Sequence, residues 1–176
     1  MLRILPALAV LTILALPRTG SAAALPEDQV KAAFIFNFLL FTNWPDSSGP
    51  LPLLRLCTYG DDGVARALRD LDGRRLGNGS VTVSRVSQPD ALSTCHALYL
   101  GGSEQRHWQE WQLPAQVQGT LTVTDSGERL SISTSVLVVA VENDRVVFSI
   151  DQLAAQRHRL SFSARILQLA QQAAPP

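Results

Sequence analysis

The chain has 176 residues, enough for one domain and too few for two comfortable ones. Hydrophobic residues make up 46 % and charged residues 17 %, which excludes a disordered chain. Acidic and basic residues balance at 15 each and no basic cluster forms, which excludes a nucleic-acid binder.

The first segment reads as an export signal rather than fold. Met1-Leu2-Arg3 is a short positive start, Ile4 to Pro17 is an almost unbroken apolar run, and Ser21-Ala22-Ala23-Ala24 supplies small residues for cleavage. Residues 1–24 are therefore expected to be a signal peptide, cut after Ala23 or Ala24. The apolar run falls short of the ~20 residues that span a bilayer, which argues against a retained anchor. Periplasmic localisation follows from this reading.

The mature chain opens with Leu25-Pro26-Glu27-Asp28-Gln29, where proline and early acids suit a helix N-terminus. From Val30 to Phe41 the only polar residues are Lys31 and Asn37. Phe34, Phe38 and Phe41 share one face at i, i+4, i+7, while Ile35, Phe36, Leu39 and Leu40 cover much of the rest. Such a helix must be buried on several sides, in its own core or against a partner chain. Trp44-Pro45 is expected to end it.

Leu53 to Tyr59 predicts a strand stopped by Gly60-Asp61-Asp62-Gly63, and Val64 to Leu71 a short helix. After the turn glycines Gly73, Gly77 and Gly79, the alternation Ser80 to Val86 predicts a strand. Ala97 to Leu100 is a short strand before Gly101-Gly102, and Ser103 can cap a helix carrying Trp108 and Trp111. Gly119 to Asp125 is a further strand. Val136 to Val141 and Val146 to Ile150, separated by Glu142-Asn143-Asp144-Arg145, predict an antiparallel hairpin. Asp151 can cap a helix through Ala155, and a last helix follows from Ser161 with Phe162, Ile166, Leu167 and Ala170 inside. Residues 171–176 read as a tail.

Strands alternating with helices define the expected fold as α/β: one domain over 25–170, with a mostly parallel sheet flanked by helices and a C-terminal antiparallel hairpin. Cys57 and Cys95 both survive cleavage, and in an oxidising compartment such a pair reads as a disulfide. Neighbouring strands could bring them together. A metal site is not expected, because Cys95-His96 is adjacent and no CxxC or HxxxH pair supplies further ligands. His96, His107 and His158 are scattered and have no nucleophile motif nearby, so neither an enzyme nor a cofactor is expected.

In this order the motifs resemble the YfiR family of small periplasmic proteins over nearly the whole mature chain. The resemblance rests on Val30-Lys31-Ala32-Ala33-Phe34 running through Phe38 and Phe41 to Trp44-Pro45, then Leu54-Arg55-Leu56-Cys57 ending in Gly60. It continues in Cys95 to Leu100, Leu121 to Asp125, and Val146 to Asp151 leading into Leu160 to Leu167. One segment departs from the family: Arg129 to Ser135 has no glycine where the family is usually glycine-rich, and a second cysteine pair found in some members is absent.

The resemblance implies a regulator that performs no chemistry. It would bind the periplasmic part of an inner-membrane diguanylate cyclase and hold it inactive. Relief by an outer-membrane lipoprotein partner or by redox stress would raise cyclic di-GMP and favour biofilm. Partner-binding candidates are Phe34, Phe38, Phe41, Trp108 and Trp111, with core packing as the competing role for each. A homodimer is a further possibility for the apolar helix. The alternative function is a small-ligand sensor using the predicted carboxyl ends of the strands, with Tyr59, Asp61, Gly101, Ser103 and Asp125 as candidates. No GxGxxG or P-loop pattern supports it.

Overall fold

Pro26 fixes an extended entry, and Glu27 and Asp28 place negative charge in the first turn of α1 (Glu27–Phe38). The computed structural model describes residues 25–45, 47, 51–104, 119–125, 135–143 and 145–173. The expected export signal, Trp108, Trp111 and residues 129–134 lie outside these.

α1 stops three residues earlier than the sequence suggests. Leu39–Phe41 tighten into a 3-10 turn before the chain becomes extended in β1 (Thr42–Asn43). The Thr42 hydroxyl donates to the Phe38 carbonyl at 3.3 Å, satisfying one of the acceptors that a helix end leaves open. Trp44-Pro45 thus comes after the helix has already been closed by its own side chain. Trp44 has a different role: its indole N–H donates to the His96 carbonyl at 2.8 Å and ties this segment to the sheet.

The main sheet contains β2 (Leu53–Tyr59), β3 (Arg75–Leu76), β4 (Gly79–Val86), β5 (Ala97–Leu100), β6 (Leu121–Asp125), β7 (Leu137–Glu142) and β8 (Arg145–Ile150). Their order is β3-β4-β2-β5-β6-β7-β8. β4, β2, β5, β6 and β7 run parallel, with an antiparallel strand at each edge. The fold is therefore the single α/β domain expected, finished by the β7–β8 hairpin. The short β3 was hidden among turn glycines. Gly77 needs its positive φ of 59° there, and Gly79 has no room for a Cβ, which would fall 2.4 Å from the Leu51 carbonyl.

Strand alternation sorts the core into two layers. Leu54, Leu56, Val81, Ala97, Tyr99, Leu121, Val123, Leu137 and Val139 face α1 and α2 (Gly63–Arg69). Cys57, Tyr59, Val86, Leu92, Cys95, Leu98 and Leu100 form a second cluster on the opposite face. Asp151 caps α3 (Gln152–Arg157) by accepting the Ala154 N–H at 2.8 Å, as its position suggests. The last helix does not begin at Ser161. Ser161–Phe162 form β9, which pairs antiparallel with β1, and α4 runs from Ala164 to Ala173. The expected tail at 171–176 thus gives its first three residues to α4. Phe162, Ile166, Leu167 and Ala170 do pack inward.

At the amino end of the sheet His96 and Arg55 are paired twice. The Arg55 N–H donates to His96 Nδ1 at 3.0 Å, and the His96 N–H donates to the Arg55 carbonyl at 2.9 Å. Accepting at Nδ1 requires a neutral ring. Burial, then the nearby Arg55 charge, push the imidazole pKa below its ordinary 6.5. The unfolded chain then binds a proton at higher pH than the folded one, so stability is lost as pH falls through 6.5 toward the folded value. A His96→Asn protein keeps an acceptor and lacks the titration. Its melting temperature should vary less between neutral and mildly acid pH than that of the parent, and an equal slope in both would exclude His96 as the titrating group.

Candidate functional site

The strand order reverses direction at β2 and β5. From β2 the chain passes to β4 on one side, and from β5 to β6 on the other. In open α/β sheets the crevice at such a point, beyond the carboxyl ends, is the usual ligand position. Tyr59 ends β2, Gly101 follows β5 and Asp125 ends β6, so three of the candidates from the sequence meet on one sheet edge. Gly101 is held there by its N–H, which donates to the Tyr59 carbonyl at 2.8 Å. A Cβ on Gly101 would fall 2.9 Å from Asp62 Oδ2, so glycine lets the two turns approach. Ser103 lies in a 3-10 turn over Gly102–Glu104, close behind Gly101.

The charged groups at this edge are bound to one another. Asp62, in the Gly60–Gly63 stretch that stops β2, has two roles. Its Oδ1 accepts the Ala65 N–H at 2.7 Å and caps α2, while its Oδ2 accepts from the Tyr99 hydroxyl at 3.1 Å. Burial first, and the Asp62 charge second, push the Tyr99 phenol far above its ordinary value, so it stays a donor. Asp61 is paired with the Arg69 guanidinium, which together with Arg85 and Arg66 holds its carboxyl below the usual range.

Asp125 is engaged by Lys31, the one cation of α1. Lys31 is 5 % exposed, and its ammonium donates to both Asp125 oxygens at 2.8 and 3.0 Å. It also meets Glu27 at 2.6 Å, one turn earlier. Burial opposes the charge, but the hydrogen bonds and charges of Asp125 and Glu27 outweigh it and hold the Lys31 pKa above its ordinary value. Lysine in this apolar run is what locks α1 to the end of β6. Its length lets the stem lie in apolar surroundings while the head reaches the acids. A Lys31→Met protein should lose about 2–3 kcal/mol, because Asp125 loses a charged donor while mostly shielded from water. Adding Asp125→Asn should return part of that loss, as read by urea denaturation; a simple sum of two losses would argue against coupling.

The aromatic candidates separate. Phe38 is 1 % exposed and its ring lies 5.8 Å from Phe148 and 5.4 Å from Phe162. Phe34 is half-buried, 5.0 Å from Phe148. Phe41 turns outward beside Leu40, which is 48 % exposed. Next to them lies a groove of about 200 Å³ lined by Leu39, Leu40, Trp44, Leu51, Leu54 and Leu76. The 3-10 turn rotates residues 39–41 off the α1 periodicity, so helical spacing could not place Phe41. The disulfide is as expected: Cys57 in β2 joins Cys95 at the start of β5, with Cα atoms 5.9 Å apart. Among the described residues no cluster of metal-binding side chains forms.

These features define a small, disulfide-stapled α/β domain whose crevice is tied up by its own ion pairs and whose apolar turn faces outward. The chain matches the YfiR/HmsC-like family model over residues 28–171 and belongs to that family, one of periplasmic regulators. The match covers all but the first residue of α1, every strand of the main sheet and most of α4.

Proposed function

We propose that this protein is exported to the periplasm after loss of residues 1–24, where it binds the periplasmic part of an inner-membrane diguanylate cyclase and holds it inactive. Lower cyclic di-GMP and less biofilm would follow, with an outer-membrane lipoprotein as the partner that relieves inhibition. The observation that carries this reading is family membership over residues 28–171, nearly the whole described domain. No catalytic step is assigned to the chain. The exposed Leu40 and Phe41, beside a groove whose leucines are joined by Thr42, Asn43 and Asn78, supply a surface of the kind that partner chains cover. Trp108 and Trp111 stand as further candidates.

The test is intracellular cyclic di-GMP in the source bacterium, with the gene deleted and then restored. A rise on deletion that reverses on restoration is expected, and the periplasmic parts of its cyclases should then capture the protein. Unchanged cyclic di-GMP would remove the cyclase reading. A second reading, a small-ligand sensor, draws on the meeting of Tyr59, Asp61, Gly101 and Asp125 along neighbouring strand ends. Calorimetry with candidate metabolites, on the wild type and Asp125→Asn, distinguishes it.

A further inference from the structure

Folding gathers three arginines that the sequence keeps apart. Residues 63–86 carry five arginines and two aspartates, in a chain whose acids and bases balance at 15 each. One of those aspartates, Asp72, is spent on the backbone and accepts the Val83 N–H at 2.7 Å. Arg66 and Arg69 stand at i, i+3 on α2 and share a helix face. Arg85 lies near the end of β4, beside Thr58 of β2 in parallel register. The Arg69 guanidinium donates to the Thr58 hydroxyl at 3.3 Å, which sets it over the sheet next to Arg85. All three arginines converge on Asp61, in the turn between β2 and α2. Arg69 holds the Asp61 carboxylate directly, Arg66 donates to the Asp61 carbonyl, and Arg85 stays 3.9 Å from Oδ2. One carboxylate thus answers three guanidiniums, and no second acid pairs with them among the described residues. The excess charge is at the surface, since the Arg85 side chain is 56 % exposed and Arg66 is exposed as well.

We infer that this corner of the domain receives an acidic segment of a partner protein, with Arg66 and Arg85 taking its carboxylates. Charge complementarity selects the occupant: two positive charges in excess call for at least two negative ones. Arginine suits the task, because its planar guanidinium is weakly hydrated and binds a carboxylate through two parallel N–H groups. It is also enriched among the residues that anchor interfaces. Asp61 displays the chemistry from within. It fills the Arg69 fork as a partner's carboxylate would, and it competes with that partner for the other two arginines. A lipid surface fits less well. Binding there joins basic residues to apolar side chains that enter the acyl boundary. The exposed large apolar side chains among the described residues include none on α2 or β4. The patch is separate from the Leu40–Phe41 rim, and it rests on the cyclase reading only where the partner is taken to be that cyclase.

The test is the anisotropy of labelled poly-L-glutamate titrated with the purified protein at low salt, with phosphatidylglycerol vesicles as the second probe. The protein is expected to bind the polyacid, and to release it as salt is added. Arg66→Gln combined with Arg85→Gln should weaken binding by about tenfold while the melting temperature stays near that of the wild type. Asp61→Asn removes the internal competitor and should tighten binding severalfold, an effect that a purely structural role for Asp61 would not produce. No binding to the polyacid would overturn the inference. So would binding indifferent to the double variant, weaker binding by Asp61→Asn, or a preference for the vesicles, which would assign the patch to a lipid surface. None of these readouts involves a cyclase. In cells, the double variant should accumulate normally and fail to lower cyclic di-GMP; full inhibition by it would overturn the assignment to that partner. Unchanged cyclic di-GMP on deletion of the gene would sink the cyclase reading alone, and the polyacid titration would still decide the patch.

Discussion

Replacing Cys57 or Cys95 by alanine is expected to destabilise the domain by about 4 kcal/mol, a fall in melting temperature of about 8–16 °C. The bridge spans 38 residues of sequence, from the middle of β2 through α2, β3 and β4 to the lip of β5. Opening it frees the unfolded chain to explore a large loop, which is the main source of the loss. The sulfurs also lie within the second core cluster, beside Tyr59, Val86, Leu92, Leu98 and Leu100, and both cysteines are buried. Differential scanning calorimetry of Cys57→Ala, Cys95→Ala and the double variant provides the measurement. The two singles and the double should fall together, because either change opens the same loop. A variant melting with the wild type would show that the bridge contributes nothing to the folded state. If the chain inhibits a cyclase as proposed, that inhibition should fail at the temperature where each variant melts, and failure well below it would instead point to a signalling role for the bridge.

That pairing was legible early, because an expected export and an even cysteine count narrow the choice to one partner. The parallel sheet was legible for a related reason. Residues such as Val81 and Val83 alternate with polar neighbours, and strands separated by a helix such as α2 are parallel almost by necessity. What escaped the sequence depends on distant partners. Ser161–Phe162 could not be recognised as a strand, since two residues have no period and their partner lies at Thr42–Asn43. Nothing around Asp62 in the Gly60–Gly63 stretch signals its second role, because the Tyr99 hydroxyl that it accepts from is 37 positions away. Lys31 read as a polar exception in an apolar helix; its acid, Asp125, is 94 positions away. Local chemistry announces caps and turns, while charges buried by tertiary packing carry no local signature. The fit of Asp151 to its cap shows the first case, and Lys31 the second.

Phe38 and Phe41, three residues apart and matched by helical spacing, are expected to give opposite phenotypes. Phe38→Ala removes a ring that packs against Phe34, Phe148 and Phe162 and joins α1 to β8 and β9. At 1 % exposure the site has little room to collapse, so the loss should reach about 3–5 kcal/mol. Little folded protein should then accumulate, and on the proposed cyclase reading cyclic di-GMP should rise because the regulator is scarce. Phe41 is 37 % exposed on the 3-10 turn, and its carbonyl, unaffected by substitution, holds the Ser163 N–H at 3.1 Å. Phe41→Ser should therefore cost less than about 1 kcal/mol. If the Leu40–Phe41 rim meets the cyclase, this variant accumulates normally, melts with the wild type and still fails to lower cyclic di-GMP. Abundance by immunoblot, melting temperature and cyclic di-GMP, measured on both strains, separate the roles. Normal inhibition by Phe41→Ser would move the contact surface away from this turn and leave Trp108 and Trp111 as the next residues to change.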